Sequence, residues 1–538
     1  MKFLSNHLII FIFVLALFLR FANFFQDTPP SINWDEASLG YNAFSILETG
    51  KDEWGRVLPL TFEAFGDYKL PGYIYTLVPF ISIFGLNENS VRFPSIIFGS
   101  LSVIFLYLVV LELSKKRNWA ILSAILLAIS PWHFFLSRIA LEANLALSFF
   151  LIGLYFLVKG LQKNLYLIPS SLMFGLSIFT YNSARIFVPL FLFGFLVLYW
   201  RQIKLTKTSI LSALILTIFL SVGFYLAVFQ DSSARYYWVR ILDEGAISFL
   251  DQARNTSAYP DLITKLIYNR PTYFVYNFVL NYFKHLSAQF LLFSGGSNYQ
   301  FSLPNWGLTY FIEIPFLIFG LFKLVKQKIG WVFILWFLAA PIPSALTREA
   351  PHALRSIFML GSLQIITAFG MIQFFKLLEH KKLFSKISYS IIGLFILINA
   401  GLYFNNYFME YPKQYSQAWQ YGYKQAIDEV RAEYDMYPKI YFTKYYGEPH
   451  IFYLFFSKYD PSLYQANETL LRDSHTNWRW VDRLDKIYFI NDWEMVEKMK
   501  SESNALVIAS PGNVPENSRK LKTIYFLDGS IAFEIVEI

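Results

Sequence analysis

INWDEASLGYNAFSILETGKDEWGRVLPLTFEAFGDYKLPGYIY, residues 32–75, directly follows the first long apolar run and gathers Asp35, Glu36, Asp67 and Lys69 in a chain with few charges. Asn33 with Glu36 three residues on is a capping-box pattern, so a helix starts at WDEASLGYNAFSILET, and Gly50 is its stop. On that helix Asp35, Leu39, Asn42, Ala43 and Ile46 share one face, which aims Asp35 along the side lying on the membrane. First-turn acids also suit the positive end of a helix dipole, which gives Asp35 and Glu36 a purely structural alternative. Lys69 stands two residues before Pro71, a natural first-turn residue for a helix over 71–84. A cation beside free helix N–H groups makes an anion site; the bland alternative is an interfacial lysine reaching for water.

Composition decides the solvent. The 538 residues are 55% hydrophobic, 20% aromatic and only 16% charged, with a mean hydropathy of +0.39, too apolar for a soluble protein of this length. The expected class is a polytopic α-helical membrane protein of the cell membrane. No small-residue cleavage site follows Phe25, so the N-terminal run reads as a retained span. The net charge of +8 does not point to nucleic acid, because the lysines lie in short clusters between apolar segments, as membrane orientation produces. Without cysteine, disulfides, thiolate zinc sites and thiol catalysis are excluded. The seven histidines are scattered without metal-ligand spacing. Two adjacent acids could hold a divalent cation such as Mg²⁺ weakly, but nothing in the sequence demands a metal or other cofactor.

A span takes about 20 mostly apolar residues. Eleven stretches qualify, at roughly 7–25, 91–113, 118–136, 141–158, 165–182, 186–200, 208–229, 306–322, 329–346, 353–375 and 387–405, with 72–85 as a further short candidate. Alternate loops carry the Lys and Arg clusters Lys115–Arg117, Lys159 and Lys163, Arg201 to Lys207, Lys323 to Lys328, and Lys381 to Lys386. Those loops are therefore cytoplasmic, as is the N-terminus, while residues 32–75, 231–305 and everything after 405 are outside. Residues 1–405 form the transmembrane domain. In 406–538 the apolar runs shorten to strand length: IYFTKY, DKIYFI, ALVIAS, KTIYFL and AFEIVEI read as strands, with helices near 415–434 and 493–501, hence a small extracytoplasmic α/β domain. It has no Gly-rich phosphate loop.

The outer side also carries cations where short loops should lack them: Arg92, Arg138 after SPWHFFLS, Arg185 after TYNSA, and Arg348 and Arg355 around TREAPHALR. A polyanionic lipid headgroup accounts for all of them together; pairing with nearby acids such as Glu142 or Glu349 accounts for each singly. Glu142 opens the fourth stretch at its outer end, where a charge is cheap.

The run DEASLGYNAFSILETG, then FGDYKLPGYIY and VRFPSIIFGSLSVIFLYL, resembles the first outer loop and second span of lipid-carrier-dependent glycosyltransferases of the GT-C fold. These are the relatives of protein O-mannosyltransferases and of the lipid A aminoarabinose transferase, grouped around glycosyltransferase family 39. SPWHFFLSRIALEANL and LTREAPHALRS resemble further segments of that family. The resemblance implies transfer of a sugar from a polyprenyl-phosphate carrier to a hydroxyl of a protein, lipid or glycan acceptor on the extracytoplasmic face. It makes Asp35, beside Glu36, the acid that takes the acceptor proton or orients the acceptor. Lys69 would hold the carrier phosphate, with Arg348, His352 and Arg355 facing that phosphate from the other side, and Glu142 matches the second-loop acid. Many relatives carry an Arg-His pair where this chain has Gln300 and Phe301, so sugar or acceptor contacts at that place do not transfer. The competing class is a lipid-linked-sugar translocase or lipid transporter without transferase activity. It needs polar groups along a path through the membrane, and these spans are nearly free of charge below their outer ends.

Overall fold

A computed structural model describes residues 2–24, 28–229, 239–473, 478–501, 503–514 and 518–538. Among them, five helices are long and apolar enough to cross a membrane: Glu88–Ser114, Glu142–Gly160, Lys207–Phe229, Ile357–Leu378 and Leu383–Gln414. Shorter apolar helices include Leu8–Phe21, Pro71–Phe84, Arg117–Ile129 and Ala184–Tyr199. The chain is a multi-pass membrane protein. It divides into two compact units: Met1–Arg20, Ser95–Ser137 and Glu142–Tyr403 form the first, and Phe21–Pro94, Arg138–Leu141 and Phe404–Ile538 the second.

The first unit is helical. Its elements include α1 (Lys2–Phe21), most of α4 (Glu88–Ser114), α5 (Arg117–Ile129), α6 (Pro131–Leu136), α7 (Glu142–Gly160), α8 (Leu167–Ile178), α9 (Ala184–Tyr199) and α10 (Lys207–Phe229). The stretch read as one span at 118–136 is two helices, because Pro131 opens α6 and Ser130 caps it. The stretch at 329–346 likewise breaks, into Gly330–Ala339 and Ile342–Ala345. Helix Glu313–Leu324 packs on Ser362–Leu378 so closely that a Cβ at Gly370 would stand 1.9 Å from the Phe316 carbonyl oxygen, and one at Gly320 2.2 Å from that of Ile366. Small residues let these two backbones touch. Phe150 is the hub of the aromatic core, meeting Phe187, Phe191, Trp336 and Phe358.

In the second unit, α2 (Trp34–Thr49) starts at Asn33 with a complete capping box and stops at Gly50 in the left-handed conformation, as the sequence predicts. It is not a one-sided surface helix, however. Ala37, Leu39, Gly40, Tyr41, Ala43 and Ile46 are all buried, because α2 packs on α3 (Pro71–Phe84) and on helices Pro449–Ser457 and Pro461–Gln465. The hairpin β1 (Phe62–Ala64) and β2 (Asp67–Lys69) delivers the chain to Pro71, the first-turn residue of α3.

The rest of this unit is a seven-stranded mixed sheet in the order β4-β5-β6-β3-β7-β9-β8. Its strands are β3 (Lys439–Thr443), β4 (Leu471–Asp473), β5 (Trp480–Leu484), β6 (Ile487–Ile490), β7 (Ala505–Ala509), β8 (Arg519–Tyr525) and β9 (Ile531–Glu537). Central β3 is parallel to β6 and β7, and the outer pairs are antiparallel. Two strands, β4 and β5, carry adjacent charges, Arg472 with Asp473 and Asp482 with Arg483, and escape a search for apolar runs. The helix expected over 415–434 is formed only over Tyr423–Ala432, because Gln420 and Gly422 take positive φ and start it late.

Candidate active site

Two helix N-termini in the second unit bring Asp35 and Lys69 together. Asp35 lies in the first turn of α2, Lys69 just ahead of α3, and Lys69 Nζ stands 2.5 Å from Asp35 Oδ1. The Lys69 side chain is 7% exposed and that of Asp35 31%, so the carboxylate faces outward over a buried cation. Leu70, the N-cap of α3, offers no side-chain hydrogen bond, which leaves the first-turn N–H groups of α3 uncapped by a side chain. Asp67 sits two residues earlier on β2, its Oδ1 accepting from the Tyr68 N–H.

Glu36 does not present its carboxylate beside that of Asp35. It is fully buried, and its oxygens accept from Arg92 Nε at 2.8 Å and Nη2 at 2.7 Å, from Ala140 N at 2.8 Å, and from Asn33 N at 3.2 Å. Arg92 also donates to the Pro29 and Ser31 carbonyls and lies over the Trp419 ring. Arg138, also buried, donates to the carbonyls of Ala22 at 2.7 Å and Thr28 at 2.8 Å and to the Tyr407 hydroxyl. Both arginines thus tie down the chain that leads into α2.

Glu142, Arg185, Arg348, His352 and Arg355 lie in the first unit. Arg348 is half-exposed and donates to Asp243 at 2.6 Å; a backbone N–H from Ala246 and this guanidinium hold the Asp243 carboxyl below its usual range. Arg355 is nearly buried and donates to Glu349 at 2.7 Å and to Thr347 at 3.1 Å. His352 lies against the Phe301 ring, its Nδ1 accepting from the Arg355 N–H at 3.3 Å. Glu142 is 8% exposed at the first turn of α7, and among the described residues its carboxylate has no partner. Arg185, at the start of α9, keeps Nε and Nη2 shielded and without a hydrogen bond among the described residues. Of the out-of-place cations, Arg92, Arg348 and Arg355 are thus paired with acids and Arg138 with carbonyls. Arg185 is the exception.

The second unit also holds a charged and aromatic cluster that the sequence reading passed over. Glu53, Glu63 and Glu448 are each under 10% exposed. Arg56 and Arg479 pair with Glu63, Trp478 donates its indole N–H to Glu448, and the Arg472 guanidinium lies 3.8 Å from the centroid of a Trp54 ring. Burial raises the Glu53 carboxyl to about 7, although Asn42 donates to it and Arg472 is near. The signal was present in DEWGR and WRW, where charges alternate with indoles. Among the described residues, no three His, Cys, Asp or Glu side chains are placed to hold a metal ion.

The whole chain follows a known architecture. ArnT from Cupriavidus metallidurans in the apo state matches with a TM-score of 0.56 at 10% identity, over 99% of this chain and 98% of that one. The same protein bound to undecaprenyl phosphate matches with a TM-score of 0.53 at 11% identity, over 99% and 97%. The Archaeoglobus fulgidus oligosaccharyltransferase tethered with an acceptor peptide matches with a TM-score of 0.50 at 14% identity, over 85% of this chain but 63% of that one. The chain therefore spans less than two thirds of the archaeal protein's length. At these identities the likeness defines the fold: this is a polytopic membrane protein of the GT-C type. Residues 69–225 match the family model described as dolichyl-phosphate-mannose-protein mannosyltransferase. The resemblance to GT-C glycosyltransferases thus holds in both sequence and fold. No curated protein sequence matches the chain.

Proposed function

We propose that this protein is a membrane glycosyltransferase that moves a sugar from a polyprenyl-phosphate carrier to an acceptor hydroxyl on the extracytoplasmic face, using the eleven-span topology read from the sequence. The observation that carries the reading is the Asp35–Lys69 pair, a partly exposed carboxylate over a buried ammonium at two helix N-termini. Asp35 takes the proton of the acceptor hydroxyl as its oxygen bonds to the anomeric carbon. The bond from that carbon to the phosphate oxygen breaks, and Lys69 with the N–H groups of α3 stabilises the charge that develops on the departing phosphate. In the resting protein Lys69 is held by Asp35, so an arriving phosphate competes for the ammonium and releases the base. Inversion at the anomeric carbon is the family's expected outcome. Glu36 supports this chemistry from beneath by fixing α2 through Arg92.

The test is transfer by reconstituted protein. Asp35→Asn should lower turnover about 10²- to 10⁴-fold, the usual worth of a positioned general base, while binding of carrier lipid persists. Full activity in that variant sinks the assignment.

A further inference from the structure

A recess among α7, α8, α9 and α10 in the first unit has no part in the proposed transfer. It is a cavity of about 370 Å³ lined by Leu157, Leu167, Phe174, Leu196 and Leu216, with exposed Lys204 also on its wall. The serines that reach it are spent on protein. Ser170 donates to the Gly153 carbonyl at 2.9 Å and Ser212 to that of Leu167 at 2.9 Å, and Ser171 bonds to Ser212. With its hydroxyls turned to backbone, the cavity offers water few partners, and apolar space of this kind takes apolar guests. Only 17% of the apolar window of α10 is buried, so one wall of the recess is a helix that faces lipid.

Beside this apolar slot stand cations with no acid to answer them. Residues 199–217, YWRQIKLTKTSILSALILT, contain Arg201, Lys204 and Lys207 and no Asp or Glu. None of the three forms an ion pair among the described residues, and Arg201 lies 5.3 Å from the centroid of the Trp200 ring, itself exposed. An apolar slot next to basic side chains and an interfacial indole matches a lipid with a negative headgroup.

We propose that this recess binds an acyl chain of an anionic glycerophospholipid, whose headgroup is held by Lys204 and Arg201. The lipid is a resident of the fold, and its site stands whether or not the transferase reading does. Native mass spectrometry of the detergent-purified full chain, titrated with phosphatidylglycerol or phosphatidylcholine, tests it. The expected result is one phosphatidylglycerol retained per chain, with about 30-fold preference over phosphatidylcholine, in keeping with two surface cations. Arg201→Glu with Lys204→Glu should abolish the preference. Ala213→Trp, which fills the slot from α10, should abolish retention of both lipids. Both charged positions are exposed, so that arm stands even where the tryptophan variant fails to fold. Equal retention of the two lipids by the wild-type chain, or an unchanged preference in the charge-reversed variant, would overturn the proposal.

Discussion

Two neighbouring acids, Asp35 and Glu36, have different fates, and burial separates them. Glu36 and Arg92 are 0% and 5% exposed at their side chains. Removing one partner of such a pair leaves a buried charge uncompensated at about 3–5 kcal/mol, whereas the Asp35 carboxylate is 31% exposed and water screens its pair with Lys69, so losing it costs less. Glu36→Gln should therefore lower the melting temperature far more than Asp35→Asn does; equal melting would contradict the structural role. The capping half of Glu36 was legible in the sequence because Asn33 is three residues away. Its ion pair was not, since Arg92 lies 56 residues on and only the folded chain brings it there. Glu53 gives a second residue-scale outcome. Unfolded, its carboxyl titrates at its ordinary value of 4.5, and folded at about 7. Below that window both states are protonated; as pH rises through it the unfolded chain ionises first, so stability falls and then levels off above the folded value. Glu53→Gln should flatten this limb of the melting-temperature profile. An undiminished fall would assign it to another group.

At the scale of elements, α2 is gripped rather than floating. A Cβ at Gly40 would stand 2.6 Å from the Phe455 ring and 2.7 Å from a Val91 methyl. Gly40→Ala should overpack this contact at about 1–3 kcal/mol and reduce hydrogen-exchange protection across α2; wild-type protection would show that the neighbouring side chains give way freely. The beginning and end of α2 were readable because caps are local chemistry. Its burial on several sides was not, because helix Pro449–Ser457 that covers it comes some 400 residues later in the chain. Hydropathy windows found the apolar stretches but ran through Pro131 and through the break after Ala339, since averaging over a span hides a single backbone break. Strands β3, β6, β7, β8 and β9 were visible as apolar runs; β4 and β5 were hidden by their charges.

For the whole molecule, the GT-C resemblance drawn from a few motifs extends to nearly the full length of ArnT, which means that the order of motifs carried more than their individual content. Arg92, Arg348 and Arg355 have carboxylate partners, so a cation outside its expected loop can be serving the fold. The proposed site is the Asp35–Lys69 pair, and the central claim is that it receives a phosphate-linked sugar. Mass spectrometry of lipid extracted from the purified Asp35→Asn and Lys69→Met variants tests this most directly. With the base removed and the ammonium intact, Asp35→Asn should carry a polyprenyl-phosphate sugar, while Lys69→Met should have lost it. Polyprenyl-phosphate sugar absent from both variants, or present equally in both, would contradict the account.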